Sequence, residues 1–97
     1  MKITIQRTGG FAGLQEALAS VDTDQMPAAE ARRVEELVAK AAFFDLPAIV
    51  GGNIKGADVY RLRVTVTDKS RHQSVEFPDH DSPELTSLRA LVRSLAP

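Results

Sequence analysis

Two histidines, a scatter of carboxylates and no cysteine make up the groups in this chain that could do chemistry. Hydrolysis would require a nucleophile beside a base, a carboxylate pair in a cleft, or a metal on about three protein ligands. His72 lies on the polar side of an alternating segment, and His80 sits inside Asp79-His80-Asp81. Three adjacent residues in one loop seldom converge on an ion without ligands from elsewhere, so this tripeptide reads as a solvated turn ahead of Ser82. Asp22 and Asp24 precede a helix-like segment, where carboxylates usually serve capping or the positive end of the helix dipole. The glycines around Phe11 and around Ile54 lack the Gly-Lys-Ser or Gly-Lys-Thr ending of a phosphate loop. No catalytic residue, metal ligand or cofactor site is assigned. The residues point to a binding protein, not an enzyme.

Bulk properties narrow the partner. Twelve basic against thirteen acidic residues leave almost no net charge, so the one-signed field of a nucleic-acid or anionic-membrane ligand is missing. Arg61, Arg63, Lys69 and Arg71 form a local basic group, for which a solvated sheet face is the plain reading. No apolar run has the length of a membrane span. The lack of cysteine suits a reducing compartment, and Met1-Lys2 leads straight into an alternating strand without a signal-peptide pattern. The expectation is a cytoplasmic protein with one domain over residues 1–97, monomeric when free, with no nucleic-acid or membrane partner.

The elements that would position any site follow from periodicity. Ile3 and Ile5 alternate with Thr4 and Gln6, giving a strand over about residues 2–8. Gly9-Gly10-Phe11-Ala12-Gly13 then makes a hairpin-like connection. Residues 14–21 fit either period: Leu14, Ala17, Leu18 and Val21 are spaced as on a helix, and Gln15, Ala17, Ala19 and Val21 as on a strand. Propensity favours helix, but the short glycine-rich connection favours an antiparallel partner, and strand is the choice made here.

Pro27 opens a helix over about residues 27–42, with Val34, Leu37, Val38 and Ala41 as its apolar stripe. Residues 47–58 form the longest irregular segment, with Ile49, Val50 and Ile54 among glycines, and these side chains suit either a return onto the core or an exposed contact. Tyr60, Leu62, Val64 and Val66 alternate with Arg61, Arg63, Thr65 and Thr67, marking the clearest strand. A turn at 68–71 leads to a last strand with Val75 and Phe77 on one face. Ser82 reads as a cap and Pro83 as a first helical residue for a helix over 83–95, whose Leu85, Leu88, Val92 and Leu95 share a face with Leu91 beside them. The order ββαββα predicts an α+β two-layer sandwich, an antiparallel sheet with both helices on one face. Leu37, Val38, Val64, Val66, Leu88 and Val92 are expected in its core.

Several segments resemble the emfourin family, small bacterial proteins that inhibit protealysin and related thermolysin-like metallopeptidases. They are Lys2-Ile3-Thr4-Ile5, Thr8-Gly9-Gly10-Phe11-Ala12-Gly13, Val21-Asp22-Thr23-Asp24, Phe44-Asp45-Leu46-Pro47, Ala57-Asp58-Val59-Tyr60 and the closing leucine-rich helix. Thr8 stands where the family pattern suggests serine. The resemblance implies an α/β fold, no cofactor, and loops that block the cleft of a thermolysin-like peptidase of the protealysin type.

Two inhibitory routes can be weighed: chelating the peptidase zinc or filling its cleft. Chelation needs a thiolate, imidazole or carboxylate at the loop tip, and between Pro47 and Asp58 the sequence offers only Asp58, at the loop base. Steric occlusion is the more economical mechanism. Loop length and composition point to Gly52, Asn53, Ile54, Lys55, Gly56, Ala57 and Asp58 as the peptidase-binding residues, with Gly9, Gly10 and Phe11 as a second candidate loop. The resemblance implies a target that accepts bulky aliphatic side chains beyond the scissile bond, which makes Ile54 the candidate anchor. The competing reading is a regulatory domain that uses Arg61, Arg63 and the basic sheet face to bind an acidic partner. A small-molecule binding domain is a third reading.

Overall fold

Strand β1, Lys2–Gly9, shows its period-two pattern in the computed structural model, which describes residues 1–9, 14–51, 60–80 and 82–96. Ile3 and Ile5 are fully buried on one face. Strand β2 is Leu14–Asp22, helix α1 Ala28–Lys40, β3 Tyr60–Asp68, β4 Arg71–Pro78 and helix α2 Thr86–Leu95. Short 3-10 turns at Thr23–Gln25, Phe43–Asp45 and Pro83–Leu85 join them. The order is the ββαββα expected from sequence, and the antiparallel sheet runs β2-β1-β3-β4.

Residues facing one another across an antiparallel pair project to the same side. Ile5 lies opposite Val64, which lies opposite Val75, and Leu62 lies opposite Phe77. This row forms the floor of the core. Val34 and Val38 from α1 and Leu88 and Leu91 from α2 join the same buried cluster, so both helices cover one face of the sheet.

The second segment is a strand, and a bulge explains its mixed periodicity. The register shifts between Ile5 and Gln6, with Ala19 opposite Ile5 and Ala17 opposite Gln6, so Leu18 is the extra residue. Ala19 and Val21 therefore face the core beside Ile5 and Ile3, whereas Ala17 and Gln15 face the other way beside Gln6 and Thr8. Leu18 packs against the core too. A simple alternation placing Gln15, Ala17, Ala19 and Val21 on one face does not hold, because the bulge reverses the phase halfway.

The helix ends differ from expectation in instructive ways. Pro27 occupies the position before the first turn of α1, with an extended ψ of 146°. At the other end Ala42 takes a left-handed φ of 48° to turn the chain out of α1. Ser82 does not cap α2 with its side chain; its Oγ faces Glu84 Oε1 at 3.5 Å. Its carbonyl instead accepts from Leu85 N at 2.9 Å, closing a tight turn after Pro83. Leu85, Leu88 and Leu91 are buried. Val92 is half-buried, as is Leu37 on α1, and both pack against the core without being fully interior.

Leu91→Ala should therefore destabilise the fold by about 2–5 kcal/mol, as expected for a buried leucine, and Val92→Ala by about 1 kcal/mol or less. Urea unfolding of both variants checks the ranking, and equal losses would place the helix phase elsewhere.

Candidate functional site

Both loops singled out from the sequence depart from the same end of the sheet. Gly9, at the end of β1, lies opposite Leu14 on one side and Tyr60 on the other. Adjacent strands are about 4.8 Å apart, so Leu14 and Tyr60 stand about 10 Å from one another across Gly9. Segment 10–13 leaves at Gly9 and returns at Leu14, and segment 52–59 returns at Tyr60. Gly9 holds a φ of 98°, in the left-handed region open to glycine. Among the expected contact residues, Gly9 is thus placed by the structure. Gly10, Phe11, Gly52, Asn53, Ile54, Lys55, Gly56, Ala57 and Asp58 lie outside the described residues.

The irregular segment after Pro47 is tied down before it reaches this end. Val50 N donates to Glu76 O at 3.0 Å, and Glu76 N donates to Ala48 O at 2.8 Å. Ile49 thereby forms a parallel bridge along the outer edge of β4. Its two apolar residues divide: Val50 packs on the core, while Ile49 is 49% exposed. Gly51 follows at a φ of +83°, and a methyl placed there would meet Pro78 Cδ at 3.0 Å. Pro78 lies opposite Arg61, so this third root belongs to the same sheet end as Gly9 and Tyr60.

A charged and aromatic group occupies that end. Arg7 continues the inward series of Ile3 and Ile5, opposite the buried Leu62, and its guanidinium meets Glu16 Oε2 at 2.6 Å. The same guanidinium lies over the Tyr60 ring, 4.6 Å from its centre. The hydrogen bond to Glu16, followed by that carboxylate's charge, holds the Arg7 pKa above its ordinary value. Asp79 N donates to Tyr60 O at 2.8 Å, and the Asp79 carboxylate accepts from Arg89 at 2.9 Å. Tyr60 remains 43% exposed. Sequence reasoning passed over this group, reading Tyr60 only as the first apolar residue of its strand. The available signal was an arginine in the inward slot two residues beyond Ile5, opposite Glu16.

The other candidate chemistry is dispersed. His72 Nδ1 lies 2.8 Å from Thr67 Oγ1, and His80 occupies the turn after β4, where its N donates to Pro78 O at 3.0 Å. Asp22 Oδ1 accepts from Asp24 N at 3.0 Å, the local capping role expected of it. No group of three or more possible metal ligands occurs among the described residues. On the solvent face Arg61 bonds Glu76 at 3.2 Å, with Arg63 3.9 Å from the same carboxylate; Arg71, expected in the same basic group, lies on the helix side of the sheet instead, where it bonds Asp68 at 3.0 Å. These pairings answer much of the positive charge. A cleft of about 650 Å³ lies at the opposite end of the sheet, where Arg71 stacks on Phe44. A cleft of similar size, about 570 Å³, lies at the loop end between Arg7, Leu62, Asp79 and Arg89, so volume does not choose between the ends. The loop roots mark the candidate surface, because a cleft-blocking contact projects and is not concave.

A family model named Emfourin matches residues 5–96, from β1 through α2. The chain belongs to the emfourin family. No curated protein and no solved structure matches it significantly. Emfourins are known as metallopeptidase inhibitors, inhibitory and not catalytic, which implies a peptidase partner. The match spans both glycine-rich loops and the sheet end from which they arise.

Gly51→Ala adds a methyl against Pro78 at a left-handed φ, so it should lower stability by about 1–3 kcal/mol. Thermal unfolding compared with wild type checks this; an unchanged midpoint would mean that Gly51 is not wedged against β4.

Proposed function

We propose that this chain inhibits a thermolysin-like zinc metallopeptidase of the protealysin type by occupying its active-site cleft. Family membership over nearly the whole chain supports the inhibitory role, and the observation that carries the choice of surface is the convergence of Gly9, Gly51 and Tyr60 on one sheet end. In this reading residues 52–58 enter the cleft, with Ile54 in the pocket for an aliphatic side chain and Gly9, Gly10 and Phe11 alongside. A buried aliphatic anchor contributes about 1.5–3 kcal/mol, so tight inhibition requires several contacts in addition to Ile54.

Occlusion and metal removal make opposite demands. Purified protein should inhibit thermolysin at one-to-one stoichiometry, and zinc in excess of the inhibitor should leave that inhibition unchanged. Activity returning in proportion to added zinc would overturn the steric mechanism.

Two loop variants test the surface. Ile54→Asp sets an unpaired carboxylate against an apolar pocket and should weaken inhibition more than Gly56→Ala does. Both should melt within a few degrees of wild type, roughly the range for exposed substitutions. If both inhibit like wild type, the 52–58 segment is not the inhibitory element. A sharp fall in thermal stability for Ile54→Asp would instead assign Ile54 to the core.

A further inference from the structure

Tyr60 combines a large aromatic surface left 43% exposed with a side chain and backbone that are held in place. Its ring lies under the Arg7 guanidinium at 4.6 Å, and Glu16 fixes that guanidinium at 2.6 Å. Its backbone is held on two sides, by pairing with Gly9 in β1 and by Asp79 N at 2.8 Å. Tyr60 is also the residue at which segment 52–59 rejoins the sheet, one strand from the Gly9 root of segment 10–13. The ring therefore stands beside the roots of both segments.

We infer that Tyr60 is a rigid anchor of the peptidase contact, seated at the sheet end where the two loops are rooted, and that Arg7 and Glu16 are positioning residues for it. The inference rests on the peptidase-inhibitor reading above and adds a contact residue outside both loops. A tyrosine suits the task because it has few rotatable bonds and buries a large area with little loss of side-chain freedom. Here the ring is restrained before binding, so less freedom remains to be lost when the partner arrives. The Arg7–Glu16 bond holds the guanidinium against the ring, and the exposed part of the ring is left for the partner.

Inhibition constants against thermolysin, measured with melting curves for each protein, test this. Tyr60→Ala should raise the inhibition constant by about 30-fold, the scale of an interface hot spot, with Tyr60→Phe remaining within about threefold of wild type. Arg7→Ala should give a smaller rise in the wild-type background and almost none in the Tyr60→Ala background, a coupling that general destabilisation would not produce. Should Tyr60→Ala fold poorly, Tyr60→Thr supplies a strand-forming replacement with the same expected loss. If wild type inhibits and these variants inhibit equally well, Tyr60 is not an anchor and the inhibitor reading stands. Additive effects of Arg7→Ala and Tyr60→Ala overturn the positioning role. If wild type itself does not inhibit, the underlying reading falls and the inference falls with it.

Discussion

Strand β1 is hydrogen-bonded along both edges, to β2 on one side and β3 on the other, so its alternation is imposed on most of the sheet. Where β1 presents Ile3 and Ile5, its neighbours present Val21, Ala19, Val66 and Val64, and the helices cover that patch. Two residues further along, β1 presents Arg7 on the same face, while β3 and β4 carry the apolar floor on through Leu62 and Phe77. A buried guanidinium would need full compensation, so Arg7 must lie where Glu16 and solvent can both reach it. The change from Ile5 to Arg7 thus marks where β1 itself passes from the core to the charged group at this end of the sheet.

The opposite face of the sheet follows from the same alternation. Thr4, Thr65 and Ser74 stand in one row across it, and Arg63 stands opposite Glu76. Antiparallel sheets tolerate one solvated face because their polar side chains replace a second layer. Thr65 and Ser74 share a hydrogen bond, and Arg61 and Arg63 share Glu76. Charge on this face is largely balanced internally, which makes it a poor attractor for an acidic partner. Exposed pairs of this kind contribute little stability, about 0–1 kcal/mol each.

Sequence patterns made much of this architecture legible because the strands with one buried face carry strict alternation. Tyr60 to Val66 is the clearest case: Leu62, Val64 and Val66 are buried as the alternation requires, and Tyr60 alone of that series stays exposed. Three features were not legible, each for a physical reason. The bulge at Leu18 superposes two strand phases, and their sum resembles helical spacing. The lesser burial of Val92 was not legible because Leu85 and Val92 share nearly one helical direction, and their burial differs with where neighbouring elements lie along the helix axis. The division of 47–51 from the following residues depends on Glu76, a partner far away in sequence, so no local signal announces that Ala48 and Val50 pair with β4. The candidate site was legible only as two glycine-rich loops, because their shared root is a property of strand order.

That shared root bears on how a small protein could block a cleft. A flexible loop loses conformational freedom when it docks, about 1–2 kcal/mol for each residue fixed. Anchoring the ends of the segment lowers the number of conformations available before docking without dictating the tip. At Gly9 the anchor is pairing on both sides, at Gly51 it is the close approach to Pro78 with Val50 bonded to β4 just before it, and at Tyr60 it is the bond from Asp79. Glycine serves two of these anchors because each needs a left-handed φ, and at Gly51 a side chain would also collide with β4. A loop built from glycines throughout would be adaptable but expensive to order. Fixed roots beside a restrained aromatic ring place the rigid part of this surface in the sheet end itself, where its geometry is set by strand pairing.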